Sequence, residues 1–248
     1  MLMEVANDFY IKSRQRSNVV YPSGLVGTLG INKMTHAHLT QNLATYSAKL
    51  ALLMPKLAKN NLSFIYSGFT GYGGIRFIIH VLEAHGYKDY FKEGPGKHRY
   101  AIWSGDQTSR TKDIIRATYN SPSNDNAEHL QIVVGSPSIK EGVTLLRTRQ
   151  VHVLEAYWNH SRLEQIFGRA VRYCSHKSLP KADRTVTIYI YAGTTRTYTA
   201  AQLAHGVDPS NSIDLYMLTM ADIKKAECER YLTAMIDCAV DKYLWKGP

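Results

Sequence analysis

Residues 63–86 read SFIYSGFTGYGGIRFIIHVLEAHG and hold one complete strand, turn and helix. SFIYSGF is an apolar run bounded by turn residues, the pattern of a strand covered on both faces. GYGG supplies the turn. IRFIIHVLEAHG returns as an apolar helix closed by Gly86, which suits the left-handed position after a helix end. A buried strand followed at once by an apolar helix is half of a βαβ unit. The pattern repeats outward along the chain. YAIWSG (100–105) is a second strand, residues 108–119 a helix and Ser121–Asn126 a polar loop. LQIVVGS (130–136) and VHVLEA (151–156) are a third and a fourth strand, residues 160–173 a helix, and TVTIYIYA (185–192) a fifth strand rich in β-branched residues. Before the first strand, Leu43, Tyr46, Leu50, Leu53 and Leu57 recur at helical spacing until Asn60-Asn61 breaks the run. Strands alternating with helices predict an α/β fold with a mostly parallel sheet flanked by helices.

The ends read differently. Residues 1–40 hold Pro22, Gly24, Gly27 and Gly30 in an irregular connecting segment whose abrupt start suggests a preceding element. After residue 212 helical periodicity runs to about Trp245, as a C-terminal helical extension.

The 248 residues suffice to bury roughly 70% of the unfolded surface without staples. With 44% hydrophobic and 20% charged residues the balance is globular. Thirty Lys and Arg against twenty Asp and Glu give a net charge of +10, which favours a polyanionic partner, nucleic acid before membrane. A basic chain can also simply be soluble. Cys174, Cys228 and Cys238 are too few and too irregular for a disulfide framework or a Cys-based zinc site, and they fit a reducing, intracellular compartment. The opening MLMEVANDFYIKSRQRSNVVYP has no core for a signal peptide, and no apolar run approaches the ~18 residues of a membrane span.

The chemistry concentrates in Ser161–Arg172, SRLEQIFGRAVR. On a helix, Gln165, Gly168, Arg169 and Arg172 share one face. Two permanently charged guanidinium forks one turn apart match phosphate oxygens, and across a cleft they stabilise charge on a transferred γ-phosphoryl group. A solvated basic face is the alternative. The internal glycine argues against it, because it costs about 1 kcal/mol relative to alanine.

QIFGRAVR resembles motif VI of superfamily 2 helicases, Gln-x-x-Gly-Arg-x-x-Arg. SPSIKEGVTLLRTRQVHVLE is similar to motif V and its following strand, FIYSGF to motif IV, and YAIWSG occupies the place of a further motif. Order and spacing match a second RecA-like lobe. More narrowly, WNHSRLEQIFGRAVRYCSHKSLP (158–180) followed by RTVTIYIYA resembles the helicases of large cytoplasmic DNA viruses, the poxvirus early transcription factor small subunit among them. SRQRSNVVYP and LATYSAKLALLMPKL look like that family's connection into the second lobe, and the resemblance covers roughly residues 11–245.

The resemblance implies three domains: residues 1–42 as a linker from a missing first lobe, 43–200 as the helicase C-terminal RecA-like domain and 201–248 as the helical extension. It implies Arg169 and Arg172 as arginine fingers, and Gln165, Gly168, Glu141 and Gly142 as support for the ATP site. Ser67, Gly68, Ser104, Gly105 and Thr144 would meet nucleic acid. The implied cofactor is ATP with Mg²⁺, the implied partners a DNA or RNA strand, the first lobe and viral transcription machinery, and the location a virion or host cytoplasm. A phosphate-cradling loop, Gly-x-x-x-x-Gly-Lys-Ser/Thr, is absent. The nearest string, GPGKHR with Gly94, Gly96 and Lys97, has Phe91 and His98 in the wrong places. The Asp-Glu pair that binds Mg²⁺ is absent too, so the triphosphate and its metal are expected on a lobe outside this chain, and the chain alone is expected to be inactive. A non-catalytic nucleic-acid-binding module and a transcription-complex interaction module remain as alternatives.

Overall fold

The computed structural model describes residues 10–57, 61–140, 143–194 and 212–240. Among them six strands form one sheet: β1 (Ser63–Tyr66), β2 (Lys88–Asp89), β3 (Arg99–Trp103), β4 (Ile132–Gly135), β5 (Gln150–Val153) and β6 (Thr187–Ile190). All pairs are parallel, in the order β2-β3-β4-β1-β5-β6. The central strand β1 sets Phe64 opposite Val133 and Val151, and Ile65 opposite Val134 and His152. Every residue of β1, β4 and β5 is buried, as expected of a sheet covered on both faces.

The covering helices are α1 (Ile11–Asn18), α2 (Gly27–Ile31), α3 (His36–Leu39), α4 (Leu43–Tyr46), α5 (Ala48–Leu57), α6 (Ile75–Ala84), α7 (Tyr90–Glu93), α8 (Ser109–Tyr119), α9 (His160–Phe167) and α10 (Ile213–Cys238). The two-residue period of the strands divides the core. Ile65 and Val134 point to one face, against Leu50 and Leu53 of α5 and Phe77 and Val81 of α6. Phe64, Val133, Val151 and Val153 point to the other, against Ile115 of α8 and Leu163 and Ile166 of α9. This three-layer arrangement is the RecA-like α/β class. Gly135 is required where β4 ends, because a Cβ there would stand 2.7 Å from both Ile139 and Phe64.

Several elements differ from the expectation. The helix read over residues 43–57 is split at Ser47, whose backbone is extended and whose hydroxyl donates to the Asn18 carbonyl at 2.6 Å. Residues 10–40 are not irregular but hold α1, α2, α3 and a 3-10 turn. β2 is too short to show in a hydrophobic pattern. The C-terminal helix ends at Cys238, and Trp245 lies outside the described residues.

Polar groups fasten α1, and at α10 they join the buried side chains of Met217 and Ala221. Lys49 on α5 and Asp214 on α10 form a buried ion pair at 2.6 Å, both side chains almost inaccessible. The Lys49 ammonium also donates to Asn18 Oδ1 at 3.0 Å and to the Leu154 carbonyl at 2.8 Å. Asp214 accepts from the Gly193 N–H at 2.7 Å and from the Ser17 hydroxyl.

His152 on β5 is fully buried, its ring stacked on Tyr189 at 5.0 Å. Nε2 lies 3.2 Å from Gln150 Oε1, which can only accept, so Nε2 carries the proton and Nδ1 accepts from the Tyr191 hydroxyl at 2.9 Å. Burial first, and the Lys56 charge second, push its pKa down to about 3. The folded state therefore favours the neutral ring. Its contribution to stability is full above an unfolded pKa of about 6.5 and is lost as pH falls from there toward 3. The urea midpoint is expected to decline across that window, and the decline is expected to flatten in His152→Gln. An equal slope in that variant would show that another group titrates.

Candidate nucleotide and nucleic-acid site

α9 begins where Asn159 Oδ1 accepts from the Ser161 N–H at 2.8 Å, and it buries Leu163 and Ile166 against the sheet. The helix stops earlier than residue 173. It ends at Phe167 with Gly168 as its cap, and the chain continues through turns. The single helical face read from spacing is therefore not what joins the arginines. Residues 169–175 instead run beside residues 145–147, with the Leu145 N–H donating to the Arg169 carbonyl at 2.8 Å and the Arg147 N–H to the Ser175 carbonyl at 3.1 Å.

This pairing sets both guanidinium groups. Exposed Arg172 donates through Nε to the Gly168 carbonyl at 2.8 Å and through its terminal nitrogen to the Thr144 hydroxyl at 2.7 Å. Half-buried Arg169 reaches the Val143 carbonyl at 3.4 Å, and its Nε is buried without a partner. Burial first, and the neighbouring Arg172 charge second, lower the Arg169 pKa, a sign that the two cations sense each other. An arginine stays protonated through such a shift. Two mutually repelling guanidinium groups with an orphaned N–H fit an anion such as the triphosphate of a nucleotide. Gln165 is exposed on α9. Glu141 and Gly142 lie outside the described residues.

The residues expected to meet nucleic acid divide into two places. Thr144 sits with the arginines. Ser67 and Gly68 follow β1, and Ser104 and Gly105 follow β3, at the carboxyl edge of the sheet. Ser67 is fully buried, its hydroxyl 2.7 Å from Glu155 Oε1 and 3.1 Å from the Phe69 carbonyl. Ser104 is also buried, while Gly68 is half-buried and Gly105 exposed.

Glu155 organises this edge and was not among the candidate residues. It accepts from Ser67, from the Gly68 N–H at 2.7 Å and from Asn18 Nδ2 at 2.5 Å. Burial raises its pKa, against the pull of these hydrogen bonds and of Lys49. The available signal was a carboxylate ending an otherwise apolar strand, VHVLEA. The string GPGKHR leads into β3 rather than out of a strand, and Lys97 pairs with Glu128 at 3.4 Å. Cys174 is exposed, whereas buried His176 bonds Ser175 and the Thr148 carbonyl.

A parallel sheet covered on both faces, with the glycine-arginine turn laid against the segment after β4, is a RecA-like α/β domain. The chain is a homologue of the helicases of large DNA viruses. It is 43% identical over 189 residues to a protein of Acanthamoeba polyphaga mimivirus named as an ATP-dependent RNA helicase, covering 75% of this chain and 33% of that protein. It is 31% identical over 254 residues to a protein of Invertebrate iridescent virus 3 named as a helicase, covering 92% of this chain and 25% of that one. A termination factor NPH-I homolog of African swine fever virus is 30% identical over 135 residues, 51% of this chain and 19% of that protein. The chain thus spans a third or less of the length of these curated relatives. The C-terminal part of the Fun30 ATPase domain aligns over 82% of this chain and 59% of its own, at 16% identity and a TM-score of 0.48. No family model matches the chain.

Proposed function

We propose that this chain is the second RecA-like lobe of an ATP-dependent nucleic-acid helicase or translocase. In this reading Arg169 and Arg172 are arginine fingers for an ATP site whose phosphate-cradling loop and Asp-Glu pair lie on another segment. The observation that carries it is the fastening of Arg172 to both the Thr144 hydroxyl and the Gly168 carbonyl, which leaves its remaining donors exposed beside Arg169. A guanidinium held in place before the nucleotide arrives loses little freedom on binding it.

ATP with Mg²⁺ supplies the transferable γ-phosphoryl group. On this chain Arg169 and Arg172 would hold phosphate oxygens, with Gln165 and Gly168 shaping the helix end that presents them. The metal would be held by the first lobe. The strand-end residues, half-buried Gly68 and exposed Gly105, are where a DNA or RNA strand would pass, contacted chiefly through phosphates and therefore salt-sensitively. Residues 1–42 lead in from the first lobe, 43–200 form the RecA-like domain and 201–248 the extension. Among the described residues no helix is long and apolar enough to cross a membrane. The work proposed is viral transcription or genome processing, in the virion or the host cytoplasm.

The test is the purified chain, alone and mixed with a separate first lobe carrying a Gly-Lys-Thr loop. Alone it is expected to bind a single strand at low salt without turning over ATP, and turnover is expected on addition of the first lobe. Strand binding with no turnover in either condition would favour a non-catalytic binding module. Capture of polymerase subunits through the C-terminal helix, without strand binding, would favour an interaction module.

A further inference from the structure

At the carboxyl edge of β1 and β5, two other arginines border a cavity of about 70 Å³. Arg14 comes from α1 and Arg162 from α9. Tyr157 lies with both, its ring centroid 3.9 Å from the Arg162 guanidinium carbon and 5.7 Å from that of Arg14. Phe69 carries the far side of Arg14 at 5.1 Å. Arg14 is only 6% exposed, and its one side-chain hydrogen bond is to the Ala156 carbonyl at 3.3 Å. Arg162 donates to the Tyr66 hydroxyl at 3.2 Å. In both residues Nε is buried and has no partner.

Two buried or half-buried cations with idle donors outnumber the one carboxylate, Glu155, that lines the cavity with them. Among the described residues neither forms an ion pair. Glu155 lines the same cavity and its charge favours the Arg14 cation from a distance, while its oxygens accept from Ser67, Gly68 and Asn18 rather than from either guanidinium. Burial holds the Arg14 pKa below its usual value against the opposing pull of the Glu155 charge, and Arg162 adds to the lowering. A ligand that offsets both charges and takes both N–H groups would remove this cost. At roughly 30 Å³ per water the space suits two waters or one tetrahedral oxyanion.

We propose that Arg14 and Arg162, braced by Tyr157, form a seat for one phosphate group. The group could belong to a strand backbone or to a free or nucleotide phosphate, since the recognition chemistry is the same. Neither arginine lies in a motif assigned to ATP or to the strand above, and the seat stands whether or not Arg169 and Arg172 are fingers.

The experiment follows the arginine Nε–H signals of the whole chain by NMR while inorganic phosphate is added. The Arg14 and Arg162 signals are expected to shift together and to saturate in the millimolar range, and the Arg14 shift is expected to vanish in Arg162→Gln. Should Arg162→Gln lose its folded spectrum, Arg162→Lys keeps the charge without the fork and is expected to weaken phosphate binding about tenfold. A short oligonucleotide that displaces phosphate from these signals identifies the strand backbone as the natural ligand, and failure to displace identifies a free or nucleotide phosphate. Signals that ignore both phosphate and oligonucleotide, or that shift unchanged in the folded Arg162 variants, overturn the seat.

Discussion

Arg172→Ala, placed in a polypeptide or complex that carries both lobes, is expected to lower the ATP turnover number about a thousandfold or more, the magnitude associated with removing an arginine finger. The side chain is exposed, so the Gly168 carbonyl and Thr144 hydroxyl that it leaves can turn to solvent and the variant should fold with stability within about 0.5 kcal/mol of the parent. Strand affinity should remain within about twofold, because phosphate contacts to the strand would lie at the carboxyl ends of the strands. Arg172→Lys should not restore turnover, since an ammonium cannot hold Gly168, Thr144 and a phosphate oxygen through a planar fork. Steady-state turnover and strand titration on the same preparations check all of this. Parental turnover in Arg172→Ala would remove the finger assignment.

Lys49→Met is expected to cost about 3–5 kcal/mol of folding stability, the range for removing one partner of a buried ion pair. The variant strands the Asp214 carboxylate next to the Gly193 N–H and the Ser17 hydroxyl, and it leaves Asn18 Oδ1 and the Leu154 carbonyl without their shared donor. Against a typical total of about 5–15 kcal/mol this is a large fraction. Thermal midpoints should fall by roughly 10 °C for a chain of this size. Replacing Asp214 by Leu in the same protein should recover much of the loss, because an apolar pair of similar volume removes the stranded charge. Urea denaturation of the single and double variants gives both numbers. A loss under about 1 kcal/mol in Lys49→Met would mean that the pair does not hold α1, α5 and α10 together.

The sheet was readable in the sequence because its interior strands are mostly apolar. SFIY, IVVG and QVHV each bury every residue, and turn residues mark their ends. α6 was readable from its apolar run and its end at Gly86, whose φ is 85°, and α8 was placed at residues 108–119, close to its observed Ser109–Tyr119. α1 was not, because what fixes it is Arg14 and Asn18 buried among polar partners on the distant residues 154–156, and no local pattern records a contact across more than a hundred positions. The break at Ser47 has the same origin, a hydroxyl drawn to the Asn18 carbonyl.

The site was legible in composition but not in arrangement. The arginines of QIFGRAVR stand out as residue types, whereas their actual neighbours come from a crossing segment, residues 143–147. Thr144 was grouped with the strand ends for its place in the motif order, yet in three dimensions its hydroxyl holds Arg172. Arg14 and Arg162 fall inside the quoted stretches SRQRSNVVYP and SRLEQIFGRAVR but were not singled out there, since their setting depends on Tyr157 and Phe69 from two other elements.

ATP turnover measured on the chain alone, on a separate first lobe alone and on their equimolar mixture tests the central claim most directly. The account predicts background turnover in each part and strand-stimulated turnover in the mixture. A chain that hydrolyses ATP unaided, or a mixture no faster than the first lobe by itself, would contradict it.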